Sequence, residues 1–78
     1  MKTIKTTEQL GKLIRAKRTL LKVTQRELAL AAGTGLRFII ELERGKETCR
    51  VGKVFDVLQA LGLSIQIFGV DAFESGGI

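Results

Sequence analysis

The sequence predicts an all-α domain of four to five short helices, closed by one short β-strand near its C-terminal end. Three observations carry this. Apolar residues recur at three- and four-residue spacing through most of the chain, the mark of helices with one buried face. Start and stop signals punctuate that pattern: Thr6 with Gln9 and Thr24 with Glu27 have capping-box spacing, and glycines 33, 45 and 62 stand where the apolar pattern ends, in a chain without proline. Finally, Leu63, Ile65 and Ile67 alternate with Ser64 and Gln66, a period-two strand signal.

The elements follow in order. Residues 1–6 read as a short polar N-terminal arm. A first helix is expected over residues 7–21, with Leu10, Leu13, Ile14, Lys17 and Leu21 recurring along one side and Lys12, Arg15 and Arg18 pointing outward. Lys22 and Val23 make a tight connection to a second helix, which starts in the Thr24/Glu27 box and ends at Gly33. Leu28, Ala29 and Ala32 are its buried side, and the small Ala29 lets another helix approach closely. A third helix spans residues 36–44 and stops at Gly45. At about 100° per residue, Leu36, Ile39 and Leu42 form one stripe, with Arg37, Glu41 and Arg44 opposite. After a polar loop, Val51, Val54, Phe55, Leu58 and Leu61 predict a fourth helix ending at Gly62. Residues 7–62 are thus one domain, 63–70 a strand, and 71–78 a short acidic tail, flexible at its glycines.

Composition narrows the function. A 78-residue chain buries only roughly 60% of its unfolded surface, so it depends on a staple or a partner. One cysteine precludes an intrachain disulfide, and the absence of histidine excludes Cys/His zinc sites and histidine acid–base chemistry. No catalytic set, metal spacing, cofactor site or phosphate-binding glycine loop stands out, and Cys49 reads as a bystander thiol. The remaining staple is a second subunit, which a mean hydropathy of +0.18 alongside 27% charged residues also favours. The net charge of +5 is uneven: residues 1–26 carry eight Lys/Arg and one Glu, residues 27–50 four of each sign, and residues 51–78 one Lys and three acids. A basic front end on so small a domain is the footprint of a polyanion binder. No apolar run approaches the ~18 residues of a membrane span, and no secretory signal is visible. A lone free thiol fits a reducing cytoplasm, where such a protein would lie on the nucleoid.

Two short helices joined by Ala32-Gly33-Thr34-Gly35 have the make-up of a helix-turn-helix: glycine at the turn, a small residue at the crossing, and apolar inner faces. The stretches TQRELALAAG and IIELERGK (residues 24–33 and 39–46) resemble the Xre/Cro helix-turn-helix of phage repressors. The likeness runs over residues 10–62 and implies a lambda-repressor-like bundle that binds double-stranded DNA. VLQALGLSIQI (residues 57–67) is similar to HipB-type antitoxins, the DNA-binding partners of HipA-like Ser/Thr kinase toxins.

The resemblance implies roles at matching positions. Gln25 stands where the family glutamine bonds a DNA phosphate and braces the recognition helix. Thr34, Gly35, Leu36, Arg37, Phe38 and Glu41 occupy recognition-helix positions, and Lys46 stands where the family touches backbone phosphate. Arg26 and Arg44 complete the candidate DNA-binding set by charge and position. Positions 35, 36 and 38, often short and polar in the family, are Gly, Leu and Phe here, so hydrogen-bond readout narrows to few side chains. Arg37 is the candidate base reader, since an arginine forks onto guanine O6 and N7; the alternative is a surface pair with Glu41. Glu41 either accepts from a cytosine amine or aims Arg37. Leu36 and Phe38 either meet thymine methyls or pack in the domain.

Pairing is expected as well, because repressors of this type place two recognition helices about 34 Å apart on a palindromic operator. Leu63, Ile65 and Ile67 are the candidate dimerisation residues: a lone strand leaves its backbone groups unpaired, and the same strand of a second copy satisfies them. The alternative is extended coil along the fourth helix. Three functions remain open: a HipB-like antitoxin that represses its own operon and restrains a kinase toxin, a stand-alone phage- or plasmid-type regulator, and a protein-binding adaptor on the same fold.

Overall fold

The computed structural model describes residues 3–69, in which four helices are joined by short turns: α1 (Thr7–Leu20), α2 (Gln25–Ala32), α3 (Leu36–Glu43) and α4 (Val51–Ala60). Helix count settles at the lower of the two expected values. Local chemistry fixes the starts of α1 and α2 and the end of α2, while α3 and α4 begin without a side-chain cap. Thr6 Oγ1 accepts the Gln9 N–H at 3.1 Å, while the Gln9 side chain takes the N–H of Lys5 rather than that of the cap residue. Only half of the expected first box therefore forms. The second is complete: Thr24 Oγ1 accepts from Glu27 N at 3.0 Å and Glu27 Oε1 accepts from Thr24 N at 2.8 Å. The Thr24 backbone N–H, with its hydroxyl, holds the Glu27 carboxyl below the ordinary range. At the end of α2, Gly33 takes φ 72°, a left-handed conformation that a side chain would oppose.

α2 is the central helix, packed against both α3 and α4, while α1 packs on α3. The core consists of Ile14, Leu28, Ala29, Ile39, Leu42, Val54, Val57, Leu58 and Leu61, one cluster drawn from all four helices and the end of α4. Burying each of its large side chains contributes about 1.5–3 kcal/mol. α1 reaches α3 through Gly11, where a β-carbon would lie 2.5 Å from the carbonyl oxygen of Leu42 and 2.6 Å from that of Glu43. Thr7 Oγ1 reinforces this junction by donating to the Gly45 carbonyl at 2.8 Å. Leu10, Val23, Ala32, Phe38, Cys49 and Leu63 pack around the core.

Several expected faces turn out differently. Leu13 and Leu21 are 40% and 46% exposed, so the interior side of α1 rests on Gly11 and Ile14 instead. On α4, Val51 and Phe55 face outward and Val57, absent from the expected stripe, is fully buried. Both helices carry apolar residues on more than one side, and the interior of so small a domain has room for one. Arg18, expected to point outward, turns inward to an acidic partner on α3.

No strand forms among the described residues. Leu63 N bonds the Leu58 carbonyl at 2.8 Å and its side chain joins the core's edge, whereas Ile65, Ile67 and Phe68 are exposed. Val70 of the expected strand, the tail at residues 71–78 and the first two residues of the arm lie outside the described residues. No helix among the described residues is long and apolar enough to cross a membrane.

Candidate nucleic-acid interface

α2, the turn at residues 33–35 and α3 form one rigid unit. Thr34 N bonds the Ala29 carbonyl at 2.9 Å, which folds the chain back immediately after α2. Ala29 and Leu28 lie buried with Ile39 and Leu42, so the inner faces of both helices are taken up in the shared core. What remains of α3 is an outward face. Arg37 is 90% exposed there, and its Nε meets Glu41 Oε2 at 3.4 Å. Lys46, beyond the helix end, brings Nζ to 3.1 Å from the other oxygen of Glu41. The carboxylate is thus shared between two cations, and the Lys46 hydrogen bond, supported by Arg37, draws its pKa below the ordinary value. Arg37 and Glu41 thus stand as an i,i+4 pair on the exposed face of α3.

The other candidates spread around this face. Gly35, Arg26 and Arg44 are exposed, and Thr34 and Leu36 are half-buried. Phe38 packs against the core with Lys53 Nζ 5.8 Å from its ring centroid. Its ring is thus partly buried at the edge of the core, beside the start of α4. Gln25, in the first turn of α2, donates from Nε2 to Glu43 Oε1 at 3.1 Å. That bond links the start of α2 to the last residue of α3.

Glu43 and Arg18 are the residues that sequence reasoning missed. Arg18 Nε sits 2.6 Å from Glu43 Oε2, Nη2 sits 3.1 Å from Oε1, and Nη1 donates to the Val23 carbonyl at 2.9 Å. The two side chains are only 11% and 4% exposed. A single arginine therefore ties α1, the α1–α2 connection and the end of α3. Lys53 beside Phe38 was also unforeseen. Helical spacing gives no signal for the Arg18–Glu43 pair, whose partners lie 25 residues apart.

A rigid two-helix unit with one polar, cation-bearing face, braced from behind by a third helix, defines a helix-turn-helix DNA-binding domain. A helix-turn-helix family model matches residues 14–68. An uncharacterized HTH-type transcriptional regulator, y4mF, of Sinorhizobium fredii is 53% identical over 66 residues, which span 85% of this chain and 87% of that protein. Among solved structures, HipB-family chains superimpose closely. One, from a HipA–HipB–O2–O3 complex, has a TM-score of 0.82 at 26% identity, covering 88% of this chain and 97% of that one. One from a HipB–O4 20mer complex has a TM-score of 0.81 at the same identity, with the same coverage of both chains. The chain belongs to the Xre/Cro-type helix-turn-helix family of transcriptional regulators, a family of DNA-binding proteins and not of enzymes.

Proposed function

We propose that this regulator is a homodimeric repressor that seats α3 in the major groove of a palindromic operator, the operator of its own operon. The carrying observation is Arg37. Its Nε is held by Glu41, while its two terminal nitrogens make no hydrogen bond among the described residues. That leaves a pre-aimed fork for guanine O6 and N7. Gln25, Arg26, Arg44 and Lys46 flank it and take backbone phosphates; Thr34, Gly35, Leu36 and Glu41 line the approach, with Phe38 as their apolar support.

Two copies meet through residues 63–70. Ile65 and Ile67 are 48% and 83% exposed on a segment whose backbone has no ladder partner among the described residues, and a second copy would cover both while Leu63 anchors the segment to each domain. The likeness to HipB supports a further step: the protein is the antitoxin of a two-gene operon and also binds a HipA-like kinase, in the cytoplasm on the nucleoid. The 53% identical relative is described only as a transcriptional regulator, which favours a second reading, a stand-alone repressor without a toxin.

Footprinting of the purified protein on DNA upstream of its gene tests the repressor. Protection of two half-sites one helical turn apart is expected; no protection at low salt rejects it. Co-purification from the native host then separates the two readings, since only the antitoxin retains a kinase.

A further inference from the structure

A groove of about 320 Å³ runs beside the recognition helix, lined by Arg15, Arg18, Gln25, Ile40, Glu43 and Arg44. Three guanidinium groups face one carboxylate in it. Glu43 is already committed, bound bidentately by Arg18 and taking the Gln25 amide as well. Arg15 and Arg44 are exposed and form no salt bridge among the described residues. The groove therefore carries a surplus of two positive charges with no protein group to neutralise them. An anion in the groove would be attracted by both.

We infer that this groove takes a DNA backbone phosphate, with Arg15 on α1 and Arg44 at the end of α3 as its two jaws, so that Arg15 is a DNA-binding residue. The inference rests on the docking of α3 proposed above. With α3 in the major groove, the sugar–phosphate strands bordering that groove pass along the sides of α3, and Ile40 and Glu43 of α3 line this pocket, so it flanks that helix. Arg15 stands three residues before Arg18 on α1, on the same face of the helix. Guanidinium forks match phosphate oxygens in pairs, and here the Arg18–Glu43 bridge gives them a fixed floor. A jaw on each of two helices does more than add charge. It sets the angle between the bundle and the duplex, and with it the register in which Arg37 meets the bases.

The test is fluorescence anisotropy with two short duplexes, one from the DNA upstream of the gene and one of arbitrary sequence, across a range of salt concentrations. Arg15→Gln is expected to weaken both duplexes alike, by roughly tenfold, and to reduce the salt slope by about 0.9, the increment for one neutralised phosphate. Arg15→Lys should restore the slope, because it restores the charge. Arg15 is exposed, so the melting temperature of each variant should match the parent. If the parent binds and Arg15→Gln leaves both affinity and slope unchanged, the phosphate assignment is wrong. If the parent binds neither duplex, the repressor reading itself fails and the groove loses its ligand. A slope that falls for one duplex only would show base-dependent contact and overturn the backbone assignment.

Discussion

Arg18 grips Glu43 with two nitrogens, Nε at 2.6 Å from Oε2 and Nη2 at 3.1 Å from Oε1, across a seam where both side chains are nearly sealed from water. The pair joins α1 to the last turn of the recognition helix. Through the Gln25 amide on the same carboxylate it joins the start of α2 as well. Position at the interface is thus held by a charge pair behind it, where water does not compete for the hydrogen bonds.

Removing one partner should therefore be severe. Arg18→Met leaves the Glu43 carboxylate buried without its cation, an effect of about 3–5 kcal/mol. At roughly 0.05–0.15 kcal/mol per residue, the whole domain has only about 4–12 kcal/mol of stability. The variant is expected to be largely unfolded at 37 °C by circular dichroism. Arg18→Met with Glu43→Leu should regain most of the loss, because two apolar groups need no pairing. A single variant as stable as its parent in urea would show that the bridge is incidental.

Gly11→Ala tests the same junction from the other side. A methyl there meets the Leu42 and Glu43 carbonyl oxygens at 2.5 and 2.6 Å, both backbone atoms that cannot rotate away. α1 and α3 must separate, at a cost of about 1–3 kcal/mol or more. The urea midpoint should fall with the slope of the transition unchanged. DNA affinity measured at a temperature where the variant is still folded should fall too, because α3 moves relative to Arg15 and Arg18.

Much of this architecture was legible in local sequence, and the reason is physical. Thr24 and Glu27 announce a helix start through hydrogen bonds made within four residues, and Gly33 announces its end through a backbone angle. Ala29 at the crossing and the outward Arg37, Glu41 and Arg44 follow from helical period alone. Arg18 was misplaced because its partner lies 25 residues away on another helix, and the periodicity of α1 holds no trace of Glu43. Val57 was passed over in favour of Val51 and Phe55 because α4 presents several apolar stripes, and only tertiary packing chooses among them. Arg15 had a signal in hand, a spacing of three from Arg18, but its meaning required the groove that α3 completes.

The Thr24–Glu27 box makes the domain acid-sensitive in a defined direction. The backbone N–H of Thr24 stabilises the ionised Glu27, so its carboxyl titrates lower in the folded chain than the ordinary 4.5. A depressed carboxylate contributes stability above its unfolded pKa, and that contribution is lost as pH falls through the folded value. Thermal melts of the parent and Glu27→Gln should differ at neutral pH and converge as the solution is taken below pH 4.5. Thr24→Ala removes the cap itself and should destabilise by about 1 kcal/mol at neutral pH. A gap between parent and Glu27→Gln that persists undiminished in acid would show that something other than the carboxylate's charge is at work.

Truncation after Gly62 tests the proposed pairing of two copies. Ile65, Ile67 and Phe68 are exposed in a single chain and nothing in the helical core needs them, so the truncated domain should keep its helical content. Leu63 is the exception, and its loss exposes the end of α4, so a modest drop in melting temperature is expected. Sedimentation velocity should give a monomer where the full chain gives a dimer. A truncated protein that still sediments as a dimer would move the interface elsewhere, with exposed Val51 and Phe55 on α4 as the next surface to probe.

Arg37 and Lys46 share the Glu41 carboxylate yet should fail in different ways. Arg37 stands on the outward face of α3 with its terminal nitrogens unbonded among the described residues, so Arg37→Ala should erase about 1–3 kcal/mol of discrimination at one base position per half-site, while affinity for arbitrary DNA changes little. Lys46 stands past the helix end, where the proposed docking gives it a backbone phosphate, so Lys46→Ala should weaken operator and arbitrary duplex by the same factor and lower the salt slope by about 0.9. Glu41→Gln frees both cations at once. It should raise affinity for arbitrary DNA while lowering the ratio of operator to arbitrary binding, because the charge that repels phosphate is also the charge that aims Arg37. Binding to a panel of single-base operator variants, compared with arbitrary DNA, resolves the three. A Glu41→Gln protein with undiminished discrimination would remove the aiming role and leave Arg37 to orient itself on the base alone.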